Sequence, residues 1–290
     1  MELRLLLDHY FGGPGQRDDP NGRELCLPHA GEACKLRLVF DGPRMESLVP
    51  GPAFDGVEWE RLADAITASL STGEAKFGRE YSFSSFRVVG AWRGEQSHVQ
   101  ICPPPPDAPT AEEESAEHPF ILEVPVSASD LWALTNHRRL REHRRLTNLL
   151  NILLIGTTTI QPRRYRHYWA GIQHEGGEIR SQWSQEFYSG KLGSVTRDSL
   201  TPGAWEPLKV ITSDEYYRLS GLDGLPLRVP DNLDQMIVSY QRLAPDLRAK
   251  FNRAAFWIDM AYRQWHVSVS ASFIALATAI ESPHEPGCPA

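Results

Sequence analysis

The sequence predicts an α+β protein, a mixed, β-rich N-terminal region followed by a helical C-terminal bundle. Three observations carry this. Short alternating segments, such as Leu36, Leu38 and Phe40, recur in the first half. From Ser213 onwards the apolar residues instead recur at three- and four-residue steps. The last two such segments are apolar along one whole side. Leu247, Phe251, Ala254, Ile258, Ala261, Tyr262 and Trp265 form one stripe, and Val269, Phe273, Leu276, Ala277 and Ile280 form the next. Such a pair needs another surface to close over it.

Each element has its own signal. Leu3–Leu7 and Lys35–Phe40 read as strands, separated by a loop at Gly12–Gly15 and Asp18–Asn21. Glu58–Leu70 reads as an amphipathic helix with Trp59, Leu62, Ala63, Ile66 and Leu70 on one side. Tyr81–Trp92 and Val99–Cys102 read as strands. Residues 103–118 open with four prolines and continue into an acidic run that repels itself, the composition of a linker or solvated loop. Phe120–Val126 is a strand. A long helix over Ala128–Ile155 follows, with Ser127 and Asp130 at capping-box spacing and Gly156 as its stop. Arg164–Ile172 and Ile179–Tyr188 form a hairpin around His174–Gly177. Trp205–Ile211 is irregular or extended. The helices Ser213–Leu219, Asn232–Leu243, Pro245–Trp265 and Ser268–Glu281 complete the chain. Pro245 suits a first turn, and Ser268 or Ser270 suits a cap. The expected organisation is therefore a mixed region over 1–102, the linker or loop over 103–118, a helix and hairpin over 119–212, and an incomplete helical region over 213–290.

Composition narrows the function classes. The net charge of -7 argues against a generic polyanion binder, although local basic patches remain open. The cysteines Cys26, Cys34, Cys102 and Cys288 have no zinc spacing, and no metal or cofactor is expected. The start, Met-Glu-Leu-Arg, lacks a secretory signal, and the most apolar run, Leu146–Ile160, is too polar to span a bilayer. The expectation is a cytoplasmic protein with reduced thiols and no membrane partner.

The run Phe251-Asn-Arg-Ala-Ala-Phe-Trp-Ile-Asp-Met-Ala-Tyr-Arg-Gln-Trp265, followed by Ser268-Val-Ser-Ala-Ser-Phe-Ile-Ala-Leu-Ala-Thr-Ala-Ile-Glu281, resembles the opening helices of a HEPN domain of the Apea-like branch. The resemblance covers this segment alone. It implies a helical bundle, often a dimer, acting on RNA in defence or stress, either as a metal-independent endoribonuclease or as a scaffold. The family's active pattern is an arginine, four to six residues, and a histidine. There histidine moves the proton and arginine holds the phosphate. In the family this pattern follows the helices seen here, so it is expected to lie beyond Ala290, leaving this chain inactive on its own. The resemblance also gives Glu281 a role, supporting a basic residue of the missing motif; the plain alternative is a solvated helix end.

A matching string does occur earlier, Arg138 to His143, within His137–Arg145. Its position before the helix pair and the arginine-rich context favour chance and a solvated helix face. The same run supplies candidates for RNA contact: Arg138, Arg139, Arg144 and Arg145, joined by Arg163, Arg164 and Arg166 beside Tyr165, Tyr168 and Trp169. The competing expectation is that Glu142, Glu175 and the acidic loop neutralise them. His137, His143, His167 and His174 lack a metal-binding spacing. No phosphate loop or nucleophile elbow occurs, so catalytic residues stay unassigned. Two readings follow: an RNA-directed HEPN-like protein, or a non-catalytic interaction module whose C-terminal helices mate with another chain, for instance as a homodimer. A small-molecule enzyme sited in the N-terminal region has no specific signal.

Overall fold

The computed structural model describes residues 2–10, 24–29, 32–41, 44–51, 56–71, 73–84, 86–104, 118–154, 161–162, 195–218, 226–265 and 267–281. The expected loop at 12–21, the Gly156 stop and the hairpin over 164–188 lie outside them. The chain is α+β with a helical C-terminal region. It divides into two compact units. One comprises Met1–Ala75 with Ser127–Arg138, the other Lys76–Val126 with Arg139–Ala290.

In the first unit, α1 (Glu2–Tyr10) stands where a strand was expected. Leu3, Leu6, Leu7 and Tyr10 recur at helical steps, and Leu6 and Leu7 are fully buried, so the 3.6-residue period overrides the short leucine run. The strands β1 (Glu24–His29), β2 (Glu32–Asp41) and β3 (Arg44–Pro50) form an antiparallel meander. In β2 the predicted alternation holds: Leu36 and Leu38 are buried, and Arg37 between them is exposed. Helix α2 (Gly56–Leu70) adds Trp59, Leu62 and Ile66 to the same core, and Leu134 completes it.

The second unit is built on a six-stranded sheet. Its strands are β4 (Ala75–Ser84), β5 (Trp92–Arg93), β6 (Gln100–Cys102), β7 (His118–Ser127), β8 (Gln161–Pro162) and β9 (Thr196–Arg197). The spatial order is β5-β6-β7-β4-β8, with β9 also on β4. The β6–β7 pairing is antiparallel, Gln100 opposite Glu123. Residues 103–118 therefore connect two strands of one sheet. Each of the two units is assembled from segments distant along the chain.

The strand expected over Tyr81–Trp92 stops at Ser84. Beyond it the chain makes single parallel bridges, Arg87 to Pro226 and Ala91 to Pro207. Gly90 permits the second contact, since a Cβ there would lie 2.5 Å from the Glu206 carbonyl oxygen. A short parallel pair, β10 (Lys209–Ile211) with β11 (Arg228–Pro230), follows.

Helix α3 (Trp132–Leu153) starts later than the spacing of Ser127 and Asp130 suggested. Ser129 organises the entry instead: its Oγ accepts from the Leu131 amide at 3.3 Å, and its backbone exchanges two 2.8 Å hydrogen bonds with the Thr135 hydroxyl. Leu146, Leu149, Leu150 and Leu154 join Ile101, Phe120, Leu122 and Val124 in the main core. Four helices follow among the described residues: α4 (Ser213–Tyr216), capped by Thr212, then α5 (Leu233–Gln241), α6 (Pro245–Gln264) and α7 (Val269–Glu281).

Candidate interaction surface and buried polar network

Helix α6 opens on Pro245, where a missing amide hydrogen costs nothing, and its first half is anchored. Phe251 packs on the Tyr240 ring with centroids 5.4 Å apart, and Ala255 is fully buried. Farther along, Asp259 accepts from the Asn151 side-chain amide at 2.8 Å. The Asp259–Arg263 helical pair expected from spacing is not described, because the Arg263 side chain lies outside the described residues. After a tight turn the Ser268 hydroxyl accepts from the Ala271 amide at 3.2 Å, so Ser268 rather than Ser270 provides the cap.

Helix α7 meets α6 through small residues. Ser272, Ala275 and Ala279 are buried, and the Ser272 hydroxyl donates to the Ala261 carbonyl at 2.8 Å. The bulky stripe is elsewhere. Val269, Phe273, Leu276 and Ile280 are 63, 71, 37 and 73% exposed. Their steps of four, three and four residues are the spacing of a coiled-coil seam. Tyr262, Trp265 and Val267, on the adjoining helix end and turn, are also more than half exposed. Large exposed apolar patches mark interaction sites. Glu281, the last residue of α7, is exposed.

The arginine run of α3 has a different character from the expected solvated face. Arg138 is buried and donates to the Glu2 carboxylate at 3.0 and 3.1 Å, with further contacts to the Ser69, Leu70 and Ser127 carbonyls. Arg139 is buried too, ion-paired with Glu80 and donating to the Arg79 carbonyl at 3.0 Å. Gly78 makes room for it, since a Cβ there would sit 2.6 Å from the Arg139 Cγ. Arg145 is half-buried and pairs with Glu142 at 2.7 Å, as neutralisation by that residue predicts. Arg144 is exposed. Arg163, Arg164 and Arg166, with His167 and His174, lie outside the described residues. The first two candidates thus have their guanidinium groups committed inside the protein, and the run presents no continuous basic surface among the described residues.

His143 is fully enclosed, its Nε2 3.1 Å from the Ser82 hydroxyl. Burial pushes its pKa down to about 4; Glu80 opposes this and Arg139 adds to it. The pair has the distance of a nucleophile and its base. Ser82 is 0% and His143 2% exposed, however, so no substrate reaches them and the pair is structural. The string Arg138 to His143 accordingly offers no accessible chemistry.

A second buried set lies around Glu123. Its carboxylate faces Arg79 Nε at 2.8 Å and accepts from the Thr201 amide at 2.9 Å, from the Thr201 hydroxyl and from Gln100 Nε2 at 3.1 Å. Gln100 also lies 2.9 Å from Cys102 Sγ. Burial raises that thiol to about 12, with smaller opposing contributions from Gln100 and Arg79, which makes it a poor nucleophile. No group of three or more His, Cys, Asp or Glu among the described residues is placed to hold a metal ion. None of their helices is long and apolar enough to cross a membrane.

Sequence reasoning missed Glu80, Ser82, Gln100 and Glu123. The alternation Glu80, Ser82, Ser84 reads as a solvent face, yet all three are buried, two of them against polar groups of α3. The missing signal was the polar face of the helix itself, Arg139 and His143 four residues apart.

By architecture and exposed surface this is an α+β protein whose last two described helices carry exposed apolar residues. Comparison with known proteins adds no family: no family model, no curated protein and no solved structure matches the chain.

Proposed function

We propose that this protein is a non-catalytic interaction module that self-associates through α7. The carrying observation is the exposed seam Val269, Phe273, Leu276 and Ile280. A three–four repeat of large apolar residues fits into the holes of a facing helix. The seam itself holds no charge, so two copies meet there without like-charge repulsion. Its area also suits a dimer. An aromatic side chain carries roughly 150–250 Å², so Phe273, Trp265 and Tyr262, with the exposed aliphatic residues beside them, bring the hairpin towards the order of 800 Å² per partner of a stable interface. The RNA-directed HEPN-like alternative rests on the resemblance of residues 251–281 alone.

Sedimentation equilibrium from 1 to about 100 µM tests the self-association. Dimeric protein is expected, with Phe273→Glu and Ile280→Glu each shifting it to monomer while the far-UV spectrum stays unchanged. Monomeric wild-type protein throughout that range ends the proposal. So does a dimer indifferent to both substitutions.

A further inference from the structure

We propose that α7 pairs antiparallel with α7 of a second copy of this chain, Val269 against the partner's Ile280 and Phe273 against the partner's Leu276. The pairing rests on the self-association proposed above and gives it a direction and a register. The exposed seam residues Val269, Phe273, Leu276 and Ile280 follow one another at steps of four, three and four. That spacing is the same from either end of the helix. A two-fold axis level with the Ile274–Ala275 bond therefore carries the stripe onto itself with the helix reversed. A two-fold interface needs this self-complementarity, in which one residue meets a second and the second meets the first. At 3.6 residues per turn the four positions also lie within a narrow strip along the helix, so reversal keeps them on one line.

Side-chain size and charge select the antiparallel direction over the parallel one. Parallel helices in register set Phe273 on Phe273 and Val269 on Val269, a wide layer beside a narrow one. Antiparallel helices combine a larger with a smaller residue in every layer, which fills the space between them evenly. Ser270 and Ala277 flank the seam and are small, so neither bulk nor charge stands between the two backbones. The one charged side chain of α7 is Glu281, exposed at its C-terminal end. Parallel pairing brings both Glu281 carboxylates to one end, beside two helix C-termini that carry negative partial charge themselves. Antiparallel pairing sets each carboxylate level with the partner's Ser268, the residue that caps the first turn of α7. There the helix end is positive, and the two macrodipoles also oppose one another favourably.

Disulfide trapping reads the direction. Val269→Cys and Ile280→Cys are made separately in the full chain with Cys26, Cys34 and Cys288 replaced by serine, and oxidised alone and as an equal mixture. In the antiparallel pair two copies of position 269 lie roughly 16 Å apart along the axis, beyond disulfide reach. The mixture should therefore give at least tenfold more cross-linked dimer than either variant alone. Efficient cross-linking of each variant with itself makes the pair parallel and overturns the inference while self-association through α7 stands. Wild-type protein that sediments as a monomer overturns both, as does a dimer that none of the three samples traps. Where the serine background or a cysteine variant does not dimerise under reducing conditions, Val269→Glu mixed with Ile280→Lys in the native-cysteine chain replaces the trapping. Opposite charges meet only across antiparallel helices, so the mixture should dimerise at least tenfold more tightly than either variant alone. Equal affinities overturn the inference.

Discussion

Asn151 on α3 donates its side-chain amide to the Asp259 carboxylate on α6 at 2.8 Å, and both residues are more than nine-tenths buried. A hydrogen bond to a buried charge stabilises more than one between neutral groups. Asn151→Leu is expected to lower unfolding free energy by about 2 kcal/mol. Asp259→Asn, which removes the charge but keeps an acceptor, should cost less. Urea unfolding at pH 7 measures both, and equal losses would mean that the carboxylate charge is immaterial.

His143 makes stability depend on pH. Its folded pKa of about 4 lies below the ordinary histidine value, so the unfolded chain binds the extra proton between the two. Its contribution is complete above about pH 6.5 and is lost as pH falls towards 4, on the order of 3 kcal/mol in all. His143→Gln keeps a partner for Ser82 without titrating, and should flatten the fall in melting temperature across that window. Asp234 acts lower down. Burial pushes its carboxyl up, but hydrogen bonds from the Ser97 side chain and the Gln96, Ser97 and Glu95 backbones outweigh this and hold it below the usual range. Its contribution is present above the unfolded carboxylate pKa and disappears as pH drops below it.

His98 holds a left-handed backbone, φ 55°, in the turn that Asp234 secures through the Gln96 and Ser97 amides at 3.0 Å. A residue with a Cβ is strained there by about 1–2 kcal/mol, part of which glycine returns through its freer unfolded chain. His98→Gly should therefore raise stability by about 0.5 kcal/mol, and His98→Val should lower it. A pair of denaturant titrations decides; a destabilised glycine variant would show that the side chain contributes more than the strain costs.

Gly78 is the space into which Arg139 fits. An added methyl would meet the Arg139 Cγ at 2.6 Å and the Val126 Cγ1 at 3.1 Å. Gly78→Ala is expected to cost about 1–3 kcal/mol by moving the arginine stem away from Glu80. In the background Arg139→Ala the same change should cost much less, a coupling that a double-mutant cycle reads directly.

The legible part of the fold was the periodic part. Leu36 with Leu38, the α2 stripe, and the onset of α6 at Pro245 follow from spacing and capping alone. Where the period was short the reading failed. Leu3–Leu7 is too brief to separate a strand from a helix until Tyr10 is included. Tertiary contacts hid the rest. Nothing local says that Arg138 and Arg139 find Glu2 and Glu80, since those partners lie 136 and 59 residues away. In α7 the bulky stripe expected from the spacing stands exposed. That Ser272, Ala275 and Ala279, the smaller set, take the contact with α6 was invisible, because hydrophobic periodicity weighs bulk and helix approach favours its absence.

The first compact unit is discontinuous: Leu134 joins the core of Leu6, Leu7, Leu36 and Ile66, and Arg138 receives Glu2, although the stretch from Lys76 to Val126 intervenes. A ribosome adding ~5–20 residues per second needs several seconds to pass from Ala75 to Arg138. Throughout that interval the nascent N-terminal segment holds its leucines without their last hydrophobic neighbour and Glu2 without its cation. Vectorial synthesis thus delivers an unfinished core first, and the early chain is the stage at which chaperone demand should peak.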